Sequence, residues 1–270
     1  MPYLVTIIVG LVQGLTEFLP VSSSGHLAIL NLIFGKDVAG GVSFTFFLHI
    51  ATLIAALIYF WDDIRDLLVC WLPGNKDMTE ARRLFIMLIV ACLVTGPLGL
   101  LLESRLEAMS DSLVWIACGF LMTSVVLCAA EWISRAHQKG KLDSLGIPQA
   151  GLIGLFQGIA VVPGLSRSGA TISGGLLAGL SKSAATRFAF LVGLPIIALG
   201  ALKDGIELLR GDLILPAWPI SLLGFVVAGI SGYLAISWMI SSLKKTKLYW
   251  FAAYTALLGV ILLVVWFVTT

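Results

Sequence analysis

The chain has 270 residues, 59% of them hydrophobic and 12% charged, against roughly a quarter charged in ordinary soluble domains. A mean hydropathy of +1.03 is more apolar surface than one soluble core can hide, which excludes a soluble globular protein and predicts an all-α, polytopic membrane protein with one integral domain over residues 1–270. The formal net charge of +2, with no basic run interleaved with aromatic residues, argues against a nucleic-acid partner and leaves the lipid bilayer as the expected one.

In chain order, no Lys or Arg precedes Lys36, so the apolar start lacks the basic region of a secretory signal and is expected to remain in the mature protein. It leads into GLVQGLTEFLPVSSSG (Gly10–Gly25), where a short apolar run is broken by proline and serines and followed by a second short run, His26–Phe34. Three stretches long and apolar enough to cross a bilayer come next, at Phe44–Trp61, Leu84–Leu102 and Leu113–Trp132. GLFQGIAVVPGLSRSG (Gly154–Gly169) then repeats the first segment at an offset of 144 residues, followed by a short run, Thr171–Leu180. Three further spans lie at Thr186–Leu202, Leu213–Leu243 and Leu248–Val268. The pattern predicts six transmembrane helices plus two re-entrant helical hairpins, in repeat halves of about 1–143 and 144–270.

Basic residues orient the halves, because cytoplasmic loops carry the excess of Lys and Arg. Asp62–Arg83 holds Arg65, Lys76, Arg82 and Arg83, and Ile133–Ala150 holds Arg135, Lys139 and Lys141, whereas the loop between these two spans holds only Arg105. Lys244, Lys245 and Lys247 mark a third cytoplasmic loop, and Lys203 and Arg210 fall outside. Both termini are then outside. The halves are inverted, the first hairpin opening from the exterior and the second from the cytoplasm.

Lipid tolerates broken backbone only where protein or water surrounds it, so each break marks a polar site. In the first, Gln13 and Glu17 are four residues apart and share a helix face. Pro20 ends that helix, Ser22, Ser23 and Ser24 fill the bend, and His26 opens the next helix. A carboxylate in the membrane costs several kcal/mol unless paired or hydrated, which makes Glu17 a functional candidate; its structural alternative is a hydrogen bond that locks the hairpin. In the second copy Ser166, Arg167 and Ser168 fall opposite Ser22, Ser23 and Ser24, while Val161 falls opposite Glu17 and Ala170 opposite His26. One copy thus supplies a nucleophile and base, the other a fixed cation at a helix N-terminus suited to phosphate or carboxylate. Arg167 could also serve as the ion-pair partner of Glu17.

Ser22, Ser24, Ser166 and Ser168 have helix capping as their competing role, and only Ser23, the repeat mate of the arginine, rises above it. His49 sits in an apolar run and reads as a core or interfacial histidine, and His137 as a solvated loop residue. Cys70, Cys92, Cys118 and Cys128 have neither CxxC nor Cys/His spacing and read as free thiols. Several of the tryptophans read as interface anchors. Nothing points to an organic cofactor.

QGLTEFLPVSSSGH (Gln13–His26) and PGLSRSGATISGG (Pro163–Gly175) together resemble the two hallmark regions of the undecaprenyl-diphosphate phosphatase family, the bacitracin-resistance type of bacterial inner membranes. The resemblance covers essentially the whole chain. It implies hydrolysis of the C55 isoprenyl diphosphate lipid to the monophosphate carrier for peptidoglycan synthesis, at a site facing the periplasm, in an inverted repeat with two re-entrant helix pairs. It also implies that Gln13 and Glu17 fill the two positions of an (E/Q)xxxE pattern, that Ser23 is the nucleophile and His26 the motif histidine, and that Ser166, Arg167 and Thr171 belong to the phosphate-binding region.

Glu17, Ser23, His26 and Arg167 are accordingly the catalytic candidates, and Gln13, Ser22, Ser24, Ser166, Ser168 and Thr171 the substrate-binding ones. Glu17 would act as general base on Ser23 or on a water, and Arg167 would offset charge on the terminal phosphate. A divalent cation, Mg or Ca, is expected to bridge the diphosphate, with Glu17 as the one carboxylate placed to anchor it. Glutamine at position 13 argues against a pair of carboxylates holding it jointly. A homo-oligomer is compatible with the chain. The competing function is a transporter or flippase that uses Arg167 as an anion site without cleavage.

Overall fold

A computed structural model describes residues 3–35, 41–72, 78–106, 112–135, 140–210, 217–243 and 246–269, with the backbone alone for 41–43 and 103–106. Lys36, Lys76, His137, Lys139, Lys244, Lys245, the side chain of Arg105 and residues 213–216 of the fifth predicted span lie outside the described residues. Among those described, the regular elements are helices: α1 (Tyr3–Phe18), α2 (Ser23–Phe34), α3 (Gly41–Tyr59), α4 (Trp61–Val69), α5 (Thr79–Leu106), α6 (Leu113–Ser134), α7 (Ile147–Ile159), α8 (Arg167–Leu177), α9 (Lys182–Arg210), α10 (Trp218–Ser242) and α11 (Tyr249–Thr269). A short 3-10 turn at Leu142–Ser144 and an isolated bridge between Gly140 and Leu180 complete them.

Five helices, α5, α6, α9, α10 and α11, are long and apolar enough to cross a membrane; α3 and α4 together make a sixth candidate, bent by 72°. The predicted span Phe44–Trp61 ends within two residues of α3, and the first part of the predicted loop Asp62–Arg83 is instead helix α4. Phe60 leaves helical geometry at φ −98° and ψ 21°, and α4 restarts with Asp62 and Asp63 in its first turn, where carboxylates complement the positive helix end. Helix α9 overruns the predicted span Thr186–Leu202 at both ends, because Lys182 and Arg210 are good helix formers that an apolarity criterion leaves out.

Helices α1, α2, α7 and α8 have 16, 12, 13 and 11 residues, at most about 24 Å of helix at 1.5 Å per residue, short of a ~30 Å hydrocarbon core. They come as two helix–break–helix pairs, α1–α2 and α7–α8. Helix α1 packs on α10 and α7 on α5; α3 packs on α10 and α5 on α9; α6 packs with α11 and α3 with α9. When α1, α2, α3, α5 and α6 are matched in order with α7 to α11, each of these pairings is carried onto another of them or onto itself.

The glycines of the duplicated segment make the first of these packings close. A Cβ at Gly14 would overlap the Ser231 hydroxyl and the Ala228 carbonyl of α10, and one at Gly154 the backbone of Ala91 in α5. Small residues let helix backbones approach where lipid offers no hydrophobic drive. At the centre, α8 is buried from Gly169 through Leu176, and Ile172 and Leu176 join Phe188 and Val192 of α9 in the main core. The start of α8 is thereby fixed by packing on several sides.

Candidate active site

The two breaks are built alike. Ser22 caps α2 by accepting from the Gly25 amide at 3.3 Å, and Ser166 caps α8 by accepting from the Gly169 amide at 3.1 Å. Each cap hydroxyl also meets the serine two residues on, Ser24 at 3.3 Å and Ser168 at 3.2 Å. Ser168 in turn donates to the Leu19 carbonyl at 2.8 Å, stitching the second break to the first. The two α-helical N-termini, with their free amide donors, therefore border one space. The backbones differ in one respect: Ser22 stands at φ 70°, the one described non-glycine residue with positive φ, whereas Ser166 is extended at φ −70°. A left-handed serine costs about 1–2 kcal/mol, and such strain persists only where the surroundings hold it.

That space is a cavity of about 620 Å³, within the range of small-molecule sites. Glu17, Ser23 and Arg167 line it together with Ser22, Ser24, Ser166 and Ser168. Glu17 projects from the last turn of α1 with its side chain 1% exposed and both oxygens engaged. Arg167 donates through Nη2 to Oε1, and Ser23 donates to Oε2 at 2.7 Å. Gln13, one turn earlier, donates to Oε2 at 3.0 Å. The counterpart of Glu17, Val161, also borders the cavity but lies beyond the end of α7 at Ile159, so α1 holds its carboxylate on a helical turn that α7 lacks. At the exposed end of the cavity, its mouth, the walls are apolar: Leu100 of α5 and Leu199 of α9 are exposed and Ile196 is half-buried, on the two helices that carry Pro97 and Pro195.

Three of the sequence candidates stand apart from this space. Gln13 is fully buried behind Glu17 and does not border the cavity. Thr171 is buried, donating to the Arg167 carbonyl at 2.7 Å and to Gln157 Oε1 at 3.4 Å; it braces the turn that carries the arginine. His26 is turned away from Glu17. Its Nδ1 lies 2.7 Å from the Ser22 carbonyl and its Nε2 2.7 Å from the Tyr254 hydroxyl, with the ring stacked on Tyr254 and edge-on to Phe120. A carbonyl only accepts, so Nδ1 carries the hydrogen, and in the neutral ring Nε2 accepts from the tyrosine. Both nitrogens are then occupied in holding the break against α11.

In its place another histidine borders the cavity. His49 Nε2 is 3.9 Å from Glu17 Oε2, with its side chain 31% exposed, contrary to its reading as a core or interfacial residue; a lone polar residue in an apolar run carries no sign of what it faces. Gln157 borders the cavity as well, bonded to Thr95, and was legible as the repeat mate of Gln13. The four cysteines are free thiols.

The family described as bacitracin resistance protein BacA matches residues 6–261. The chain belongs to that family. Among its relatives, a protein named undecaprenyl-diphosphatase from Bacteroides fragilis (strain YCH46) is 39% identical over 271 residues, covering 98% of both chains. Proteins of the same name from Mycobacterium sp. (strain KMS) and Halothermothrix orenii are 37% and 34% identical, each match covering at least 96% of both chains. This BacA-family chain is thus a multi-pass bacterial membrane protein, and the conjunction of carboxylate, hydroxyl and guanidinium lies within the matched residues.

The described residues do not form a multi-carboxylate cation site. Among the described residues no group of three or more His, Cys, Asp or Glu side chains converges, and the one carboxylate in the BacA-family cavity already uses both oxygens. A cation carried in on a diphosphate would belong to the substrate.

Proposed function

We propose that this chain hydrolyses undecaprenyl diphosphate to undecaprenyl phosphate and inorganic phosphate, recycling carrier lipid for cell-wall synthesis. The observation that carries this reading is the 2.7 Å hydrogen bond from Ser23 to Glu17, with Arg167 on the other carboxylate oxygen, inside a cavity whose outer walls are apolar. It is supported by relatives that carry the name of that activity over nearly their full length.

The terminal phosphate sits against Arg167 and the amides at the start of α2 and α8. Ser23 Oγ attacks its phosphorus while Glu17 Oε2 takes the hydroxyl proton. The bond to the bridging oxygen breaks, undecaprenyl phosphate departs, and a phosphoserine remains. Water then attacks the phosphoserine, with Glu17, its proton released, as base; phosphate leaves and Ser23 regains its hydrogen. Arg167 offsets the charge on the transferring group throughout, which is the larger part of catalysis in such reactions. His26, Gln13 and Thr171 hold the pieces in place rather than touch the substrate.

The two short helix pairs are re-entrant hairpins between six spans, in inverted halves of about 1–143 and 144–270, a reading supported by the exchange of helix pairings between the halves. The basic loops orient the cavity, with Lys203 at its edge, toward the exterior of the cytoplasmic membrane. The same inverted packing favours a second reading, anion transport with Arg167 as the binding group. Phosphate release by purified protein in detergent, from prenyl diphosphates of increasing chain length and with or without chelator, separates the two. The hydrolase reading predicts release that persists with long chains; binding without release supports transport.

A further inference from the structure

In the sequence Lys203 marks only an exterior charge; in the structure it borders the same cavity as Glu17 and Arg167. It follows Ile196, Leu199 and Gly200 at helical spacing, so these four residues form one face of α9 running from the apolar wall to the mouth. Ile197, beside the small void under Arg167, is six residues earlier, about 9 Å down the helix axis. Side chains on a helix lean toward its N-terminus, which carries the start of the Lys203 stem back along α9 toward the buried end of the cavity, its floor.

In-line displacement gives that direction a meaning. With Ser23 and Glu17 at the floor, the oxygen that leaves phosphorus lies on the opposite side, toward the mouth. The departing group is itself a phosphate. A diphosphate brings more negative charge than the Arg167 guanidinium offsets. Resting on the hydrolase reading, we infer that Lys203 forms a second phosphate subsite, binding the lipid-linked phosphate and offsetting the charge that builds on it as the bridging bond breaks. The floor takes the transferred phosphate, and the mouth keeps the prenyl phosphate.

The test compares purified wild type, Lys203→Gln and Lys203→Arg for phosphate release from farnesyl diphosphate, with inhibition by farnesyl phosphate and by orthophosphate. Lys203→Gln is expected to lose on the order of a hundredfold in kcat/KM, the low end for a lost charge-stabilising donor. Its inhibition by farnesyl phosphate should weaken by a comparable factor while inhibition by orthophosphate stays unchanged, and Lys203→Arg should retain most activity. A structural role would not split the two inhibitors in this way. Lys203→Gln within roughly threefold of wild type, under ~1 kcal/mol, or equal weakening of both inhibitors, overturns the inference. A wild type that releases no phosphate counts against the hydrolase reading instead, and direct binding of farnesyl phosphate to wild type and Lys203→Gln then decides the subsite by itself.

Discussion

Each oxygen of Glu17 has a different task. Oε1 is matched by Arg167, and Oε2 faces Ser23 and Gln13, so the carboxylate can stay ionised in a buried place and still present an acceptor to a hydroxyl. Removing one partner of a buried pair strands the other, at about 3–5 kcal/mol when both are deeply buried; Arg167 is 30% exposed, and solvent screening lowers the figure here. Arg167→Lys keeps the charge but loses the planar fork that can hold Glu17 and a phosphate together. Its expected cost is on the order of a hundred- to a thousandfold in kcat, read by steady-state phosphate release. Near wild-type turnover would reduce Arg167 to a structural partner of Glu17. The sequence already placed Glu17, Ser23 and Arg167 together through the repeat, since a carboxylate, hydroxyls and a cation at matched breaks have few reasons to be in lipid. It puts His26 at the site and His49 in the core or interface, whereas His49 is the one that borders the cavity, because the direction an imidazole faces depends on neighbours as remote in sequence as Tyr254.

At the scale of helices, the repeated glycines set how closely α1 and α7 seat against their partners, and so where the breaks fall. Gly154 and Gly151 lie on the same helix and make opposite predictions. Gly154→Ala puts a methyl into the backbone of Ala91, whereas Gly151 has open space around its Cβ position. Gly154→Ala should lower the thermal midpoint in detergent, an overpacking cost of about 1–3 kcal/mol. Gly151→Ala should be neutral or gain about 0.4–1 kcal/mol through the unfolded chain and helix propensity. Equal midpoints for the two variants would contradict this packing. Apolar run length located the five long helices, but not the 72° bend after Tyr59. The bend lies at Phe60, two residues before Asp62 and Asp63 end the apolar run, and apolarity says nothing of whether the polar stretch beyond it is helical.

Over the whole molecule, the duplicated segments bring two unlike breaks to one cavity, so that neither half holds the carboxylate, hydroxyl and guanidinium alone. The proposed orientation rests on the basic loops. In a cysteine-free background, single cysteines at Ser112 and Lys141 should label from opposite faces of the membrane, with Ser112 outside; labelling of both from one face would sink the inverted arrangement. The most direct test of the account is a double-mutant cycle on phosphate release by Ser23→Ala and Glu17→Gln. If Ser23 attacks phosphorus while Glu17 takes its proton, each variant loses nearly all turnover and the double variant is hardly worse, because residues that act as one unit are strongly non-additive. Ser23→Ala turning over within about tenfold of wild type, a loss of only ~1.4 kcal/mol, would contradict the account and assign the attack to water.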